Sequence, residues 1–161
     1  MQTVARKLKV GDSAPPWTLP DQSGKKHSLS DYKGKWVLLY FYPKDDTPGC
    51  IKEACGVRDN LPKFKGHNAV VFGISADSVE SHRKFAQKFQ LSFPLLADEE
   101  KHVINAYGVW GEKKFMGKSY MGIYRSSFLI DPKGTIAWVY EKVKPEEHPA
   151  QVLQDLASTN G

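Results

Sequence analysis

Apolar residues along this chain fall into two periods. Trp36–Tyr42 (WVLLYFY) and Ala69–Ser75 (AVVFGIS) are unbroken apolar runs, and both predict buried strands. Between them the period lengthens. Counting from Cys50, Ala54, Val57 and Leu61 recur at steps of four, three and four, which gives a helix one apolar stripe headed by a cysteine. Pro62 is expected to kink or end that helix. Asp77-Ser-Val-Glu80 resembles a capping box and opens a second helix carrying Phe85 and Phe89.

Phe93–Ala97 (FPLLA) is a short strand or its approach, and Val103–Tyr107 a short helix with Gly108 just past its end. Trp110–Gly122 is rich in Gly, Lys and aromatic residues and reads as a long loop. Ser127–Ile130 and Thr135–Tyr140 flank Asp131-Pro-Lys-Gly134, a hairpin turn. Glu146–Leu156 is a closing helix. Upstream, Val10–Pro20 is extended, Asp21–Gly24 turns, His27–Leu29 returns as a small hairpin, and Tyr32-Lys-Gly34 turns again.

Strand–helix–strand–helix, then a hairpin and a last helix, predicts an α/β fold. Its central mixed β-sheet is flanked by helices and preceded by an N-terminal β-hairpin extension. No linker, repeat or low-complexity stretch divides the chain, so residues 1–161 are expected to form a single domain. The end of the first central strand delivers Cys50, where open α/β sheets place ligands.

Composition narrows the function classes. With 161 residues, 40% hydrophobic and 25% charged, the chain is an ordinary globular sequence. Its net charge of +5 comes from lysines scattered among acidic residues, so no nucleic acid is expected as a partner. No apolar run approaches the roughly 20 residues of a membrane span. Met1–Val10 carries Arg6, Lys7 and Lys9 without an apolar core, unlike a secretory signal, and a cytoplasmic location is expected. Two cysteines are too few for a disulfide scaffold, and their closeness points to redox chemistry or metal. The five histidines are dispersed, and the pair Asp45–Asp46 reads as a solvated turn, so neither a metal nor another cofactor is expected.

Both cysteines lie in Pro43-Lys-Asp-Asp-Thr-Pro-Gly-Cys50-Ile-Lys-Glu-Ala-Cys55. Pro43 stops the strand, because it has no N–H and fixes its own φ. Thr47 is suited to the helix N-cap, with Pro48 at the first helical position. Cys50 then sits at the third, where N–H groups lack helical partners and the dipole is positive; both favour the thiolate, the nucleophilic form. The Thr47 hydroxyl lies on the same turn, poised to donate to that sulfur or to a substrate oxygen. Gly49 leaves room for a small molecule. On an intact helix Cys55 would lie roughly 140° round from Cys50, with Cα atoms about 8–9 Å apart. A disulfide needs less than roughly 7 Å. Either the bond never forms, or forming it melts the helix start, which would be a redox switch.

Pro43, Thr47 and Cys50 match the P-x-x-x-T-x-x-C signature of peroxiredoxins. The fuller runs YFYPKDDTPGCIKEACGVRDN and YGVWGEKKFMGKSYMGIYRSSFLIDPKG resemble the bacterioferritin comigratory, or Q-type, branch of that family. The resemblance covers the chain from Val10 to the last helix. It departs at Ile51, beside the nucleophile, where the family usually has Thr or another small residue. It implies a thioredoxin-like fold and an enzyme that reduces hydroperoxides. Cys50 would be the peroxidatic cysteine, Cys55 the resolving cysteine and Arg125 the active-site arginine, with thioredoxin or a related dithiol as reductant. Glu53 would either orient Arg125 or only favour the helix start. An internal resolving cysteine removes the chemical need for a dimer, so a monomer is expected. Two rivals stay open: a dithiol–disulfide oxidoreductase, whose usual C-x-x-C is absent, and a non-enzymatic sensor or chaperone on the same scaffold.

Overall fold

A computed structural model describes residues 8–160; the basic positions Arg6 and Lys7 lie outside the described residues. The chain begins with a two-stranded hairpin, β1 (Thr18–Pro20) and β2 (Lys26–Ser28), followed by a 3₁₀ turn at Leu29–Tyr32. Then come β3 (Trp36–Phe41), α1 (Pro48–Gly66), β4 (Ala69–Ser75), α2 (Val79–Phe89), β5 (Leu95–Ala97) and α3 (His102–Ala106). The second half holds β6 (Trp110–Phe115), β7 (Lys118–Ile123), β8 (Ser126–Ile130), β9 (Ile136–Tyr140) and α4 (His148–Asn160).

The central sheet has the order β5-β4-β3-β8-β9. β3 runs parallel to β4 and antiparallel to β8, so the sheet is mixed and β3 lies at its middle. Every residue of β3 is buried, which explains its unbroken apolar run. Its alternate side chains feed two cores. Trp36, Leu38 and Tyr40 pack with Ala54, Val57 and Phe64 of α1, Phe85 of α2 and Val152 and Leu156 of α4. Val37, Leu39 and Phe41 pack on the other face with Val103 and Ile104 of α3 and Trp17 and Leu19 of the N-terminal hairpin region. None of the helices, among the described residues, is long and apolar enough to cross a membrane.

Several expectations need correction. Pro62 does not end α1, which continues to Gly66. The cap of α2 is Ser78, whose Oγ accepts from the Ser81 N–H at 3.0 Å; Asp77 faces elsewhere. The stretch from Trp110 is a hairpin rather than a loop: β6 and β7 pair antiparallel around Met116 and Gly117, both at positive φ. A two-residue turn of that shape usually carries Asn-Gly or Asp-Gly, and Met-Gly hides it. The acidic pair Asp45–Asp46 divides. Asp46 is exposed and pairs with Lys88 at 2.9 Å, whereas Asp45 is only 7% exposed.

Candidate active site

The junction from β3 to α1 sets the site. The Tyr42 N–H still bonds the Ile74 carbonyl of β4 at 3.1 Å, and Pro43 follows at the point where the ladder stops. The loop to Thr47 is fastened from below. Asp45 accepts from the Tyr42 hydroxyl at 2.6 Å and the Ser81 hydroxyl at 2.8 Å, and its Oδ2 meets His82 Nδ1 at 2.7 Å. The other His82 nitrogen, Nε2, donates to the Leu96 carbonyl at 3.0 Å. Asp77 accepts from the Asp45 N–H at 2.9 Å and from the Ser75 hydroxyl at 2.7 Å. Asp45, Asp77 and His82 bring three ligand-type atoms within 4.8 Å of one another. Donors already occupy both Asp45 oxygens, so the cluster acts as a fastener for the loop. No sequence pattern marks it, because its members come from the β3–α1 loop, the β4–α2 connection and α2.

Thr47 stands at the N-cap with extended backbone (φ −104°, ψ 153°), and Pro48 occupies the first helical turn. The Thr47 hydroxyl does not cap the helix; it donates to the Lys44 carbonyl at 2.9 Å. The Ile51 N–H bonds the Thr47 carbonyl at 2.8 Å, so the N–H groups of Gly49 and Cys50 precede the first helical bond. Cys50 is 1% exposed, at the head of the stripe that α1 turns to the core. Cys55 is half-buried on the same unbroken helix, and both thiols are free. Ile51 is partly buried and packs on the core beside Cys50.

Arg125 comes from the short connection between β7 and β8, where its carbonyl accepts from the Val143 N–H at 3.1 Å. Its guanidinium bridges one turn of α1: Nη2 donates to Cys50 Sγ at 3.3 Å, and Nη1 donates to Glu53 Oε1 at 3.0 Å. Positions three apart share a helix face, so one planar fork reaches both. Gly49 makes this possible, because a Cβ there would lie 3.0 Å from Arg125 Nη2. The space at Gly49, expected to receive a small molecule, is therefore taken by the guanidinium.

Charge in this site is confined. Glu53 is 0% exposed; burial pushes its carboxyl up to about 7 against the pull of Arg125. Burial also opposes the charge on Arg125, but Cys50 and Glu53 together hold it above its ordinary value. Two buried polar atoms of this site have no hydrogen-bond partner among the described residues: Glu53 Oε2 and the Tyr40 hydroxyl on β3. Burial, then the nearby Glu53 and Cys50, raise the Tyr40 phenol well above its usual range, so it stays neutral. Tyr40 is absent from the residues that the motifs single out. The signal was a hydroxyl-bearing residue in the middle of a fully buried strand.

A cavity of about 520 Å³ borders Arg125 and is walled by Val109, Lys113, Tyr124, Phe128 and Val139. Burial and the nearby Arg125 lower the Lys113 ammonium, which donates to the Ile123 carbonyl at 3.0 Å. Among the aromatic residues in and next to the β6–β7 hairpin, Tyr124 lines this cavity. Trp110 packs in the second core, and Phe115 and Tyr120 project from the hairpin.

Residues 10–139 match the family model described as AhpC/TSA family. The chain belongs to this family. It is 51% identical over 149 residues to peroxiredoxin Bcp of Escherichia coli (strain K12), covering 92% of this chain and 96% of that one. Identity to peroxiredoxin Bcp of Bacillus subtilis (strain 168) is 48% over 149 residues, covering 92% and 95%. A cysteine-to-serine variant of Xylella fastidiosa PrxQ superposes with a TM-score of 0.92 at 36% identity, over 97% of this chain and 99% of that one. Xanthomonas campestris bacterioferritin comigratory protein, which has alkyl peroxide reduction activity, superposes at 0.85 and 36%, over 90% and 92%. The fold is thus the thioredoxin-like fold of the peroxiredoxins, in its Q-type form. The protein is a thiol-dependent peroxidase, an enzyme that needs a peroxide and a reductant.

Proposed function

We propose that this enzyme reduces hydrogen peroxide and organic hydroperoxides through Cys50, with Cys55 as its internal resolving thiol. The observation that carries the reading is the single guanidinium of Arg125 spanning Cys50 Sγ and the buried Glu53. A fixed cation beside sulfur favours the thiolate. The thiolate attacks one peroxide oxygen, the O–O bond breaks, and the other oxygen takes a proton and leaves as water or alcohol. Negative charge moves along the S–O–O line, and donors already in place stabilise it: Arg125 and the N–H of Cys50, which precedes the first helical bond. Thr47 contributes by turning its hydroxyl from the Lys44 carbonyl to a peroxide oxygen. Pro43 ends β3 and shields the thiolate from water.

The product is a sulfenic acid. It condenses with the Cys55 thiol to give a disulfide and water, which requires the start of α1 to open. Thioredoxin or a related dithiol then reduces the disulfide by exchange. On this reading the chain is one domain that works as a cytoplasmic monomer in antioxidant defence, because both thiols of the cycle are in one copy. Stopped-flow assay with thioredoxin and its reductase tests the scheme. The wild type is expected to consume peroxide over many turnovers. Cys50→Ser is expected to consume none, and Cys55→Ser to react once and stall as the sulfenic acid. Near-normal turnover by Cys50→Ser overturns the assignment.

A further inference from the structure

Resolution needs the first two turns of α1 to open, and those turns are intrinsically weak. Together with the residue that follows them they contain Pro48, Gly49 and Gly56 within nine residues. Each helical Gly costs roughly 0.5–1 kcal/mol relative to Ala. Their order must come from what packs on them. Besides Arg125 and the core, one further segment packs there, immediately before and at the start of α4. A Cβ on Gly49 would lie 3.6 Å from Pro145 Cγ, Lys52 Nζ reaches Glu146 Oε1 at 3.1 Å, and a Cβ on Gly56 would lie 3.1 Å from Pro149 Cγ. Positions 49, 52 and 56 are one stripe of α1, at steps of three and four. The stripe brackets both cysteines.

The bracing segment is itself anchored. His148 is 1% exposed, and its Nε2 lies 2.7 Å from the Ser127 hydroxyl of β8. Its ring packs edge-on against Tyr140 of β9, centroid to centroid 5.0 Å. Burial lowers its imidazole to about 4, so this anchor is uncharged at neutral pH. Nothing in the peroxide chemistry uses Ser127 or His148, yet both are fully buried.

We propose that Pro145–Pro149, anchored to the sheet by the His148–Ser127 hydrogen bond, is a latch on the first two turns of α1 that sets how fast Cys55 reaches oxidised Cys50. This rests on the reading of Cys55 as the resolving thiol. The latch holds the reduced site in order for peroxide and releases the helix for the step in which the sulfenic acid and thiol become a disulfide and water. His148 and Ser127 are positioning residues in this scheme. A tight latch prolongs the sulfenic acid and exposes it to a second peroxide, which gives sulfinic acid.

Quenched-flow mass analysis of a single turnover separates the two steps. Ser127→Ala and His148→Ala are expected to speed disulfide formation three- to tenfold, with the sulfenic step within twofold of wild type. Less sulfinic acid should accumulate in excess peroxide. Hydrogen exchange of the reduced protein gives an independent reading: protection should fall across residues 51–56 and hold across residues 57–66. Unchanged resolution together with unchanged exchange overturns the latch, as does a parallel change in both chemical steps. If the wild type forms no Cys50–Cys55 bond, the assignment of Cys55 fails, and the exchange result alone decides the latch.

Discussion

Two polar clusters flank the loop from Pro43 to Thr47, and they are built to opposite plans. Around Asp45 the donors and acceptors match: a tyrosine, a serine and a histidine converge on one carboxylate, and the second histidine nitrogen finds a carbonyl. Around Arg125 they do not. Glu53 Oε2 and the Tyr40 hydroxyl are buried without partners among the described residues, and the guanidinium is shared with a thiol. A satisfied network is a source of rigidity, whereas unsatisfied groups and displaced pKa values gather where chemistry happens. The first cluster holds the loop still while the second keeps buried groups unpaired beside the thiol.

The contrast is broken most severely by truncating one member of each. Arg125→Ala is expected to slow the peroxide step about 10²–10³-fold, the cost of losing one fixed donor to a developing negative charge. Its stability should fall by only about 1–2 kcal/mol, because Glu53 can escape an unpaired burial by keeping its proton. Asp45→Ala should do the reverse. Leaving the partners of a buried pair uncompensated costs about 3–5 kcal/mol, while the folded fraction keeps a peroxide rate within a few-fold of wild type. Urea titration and stopped-flow rates on the same samples check both. If the two variants show the same balance of losses, the division of labour is wrong.

A subtler comparison lies in pH. Glu53 is raised from 4.5 to about 7, so between those values the folded state keeps a proton that the unfolded chain has lost. Its contribution is full below 4.5 and is lost as pH rises to 7. His148 is lowered from 6.5 to about 4, so the unfolded chain gains a proton that the folded state refuses. That contribution is full above 6.5 and is lost as pH falls to 4. Each shift amounts to about 3 kcal/mol, and the signs oppose. The two therefore nearly cancel between pH 4.5 and 6.5. Glu53→Gln should unmask stability that rises with pH, and His148→Gln stability that falls with it. Denaturation midpoints across that window check the signs.

What the sequence made legible was local or periodic. The buried strand Trp36–Tyr42, the stripe headed by Cys50 and the Thr47–Pro48 helix start all follow from near neighbours, and α1 begins at Pro48 as the residue types require. Arg125 entered through a matched block rather than by its own spacing, since 75 residues separate it from the sulfur it touches. The Asp45–His82 fastener spans 37 residues and the His148–Ser127 anchor 21, and no period links such positions. The β6–β7 hairpin is hidden in the sequence for a different reason. Met116 adopts φ 52° at a turn where asparagine or glycine would announce itself, and the mostly exposed faces of the two strands carry no clear alternation. Thr47 was placed at its position but not in its bond, because cap and carbonyl compete for one hydroxyl.

The most direct measurement is the thiol count and intact mass of the reduced protein after one equivalent of hydrogen peroxide. The account predicts that both thiols disappear, that the chain loses two hydrogens and gains no oxygen, and that a peptide pair joins Cys50 to Cys55. Retention of the Cys55 thiol with oxygen left on Cys50, or a disulfide only between copies of the chain, would contradict it.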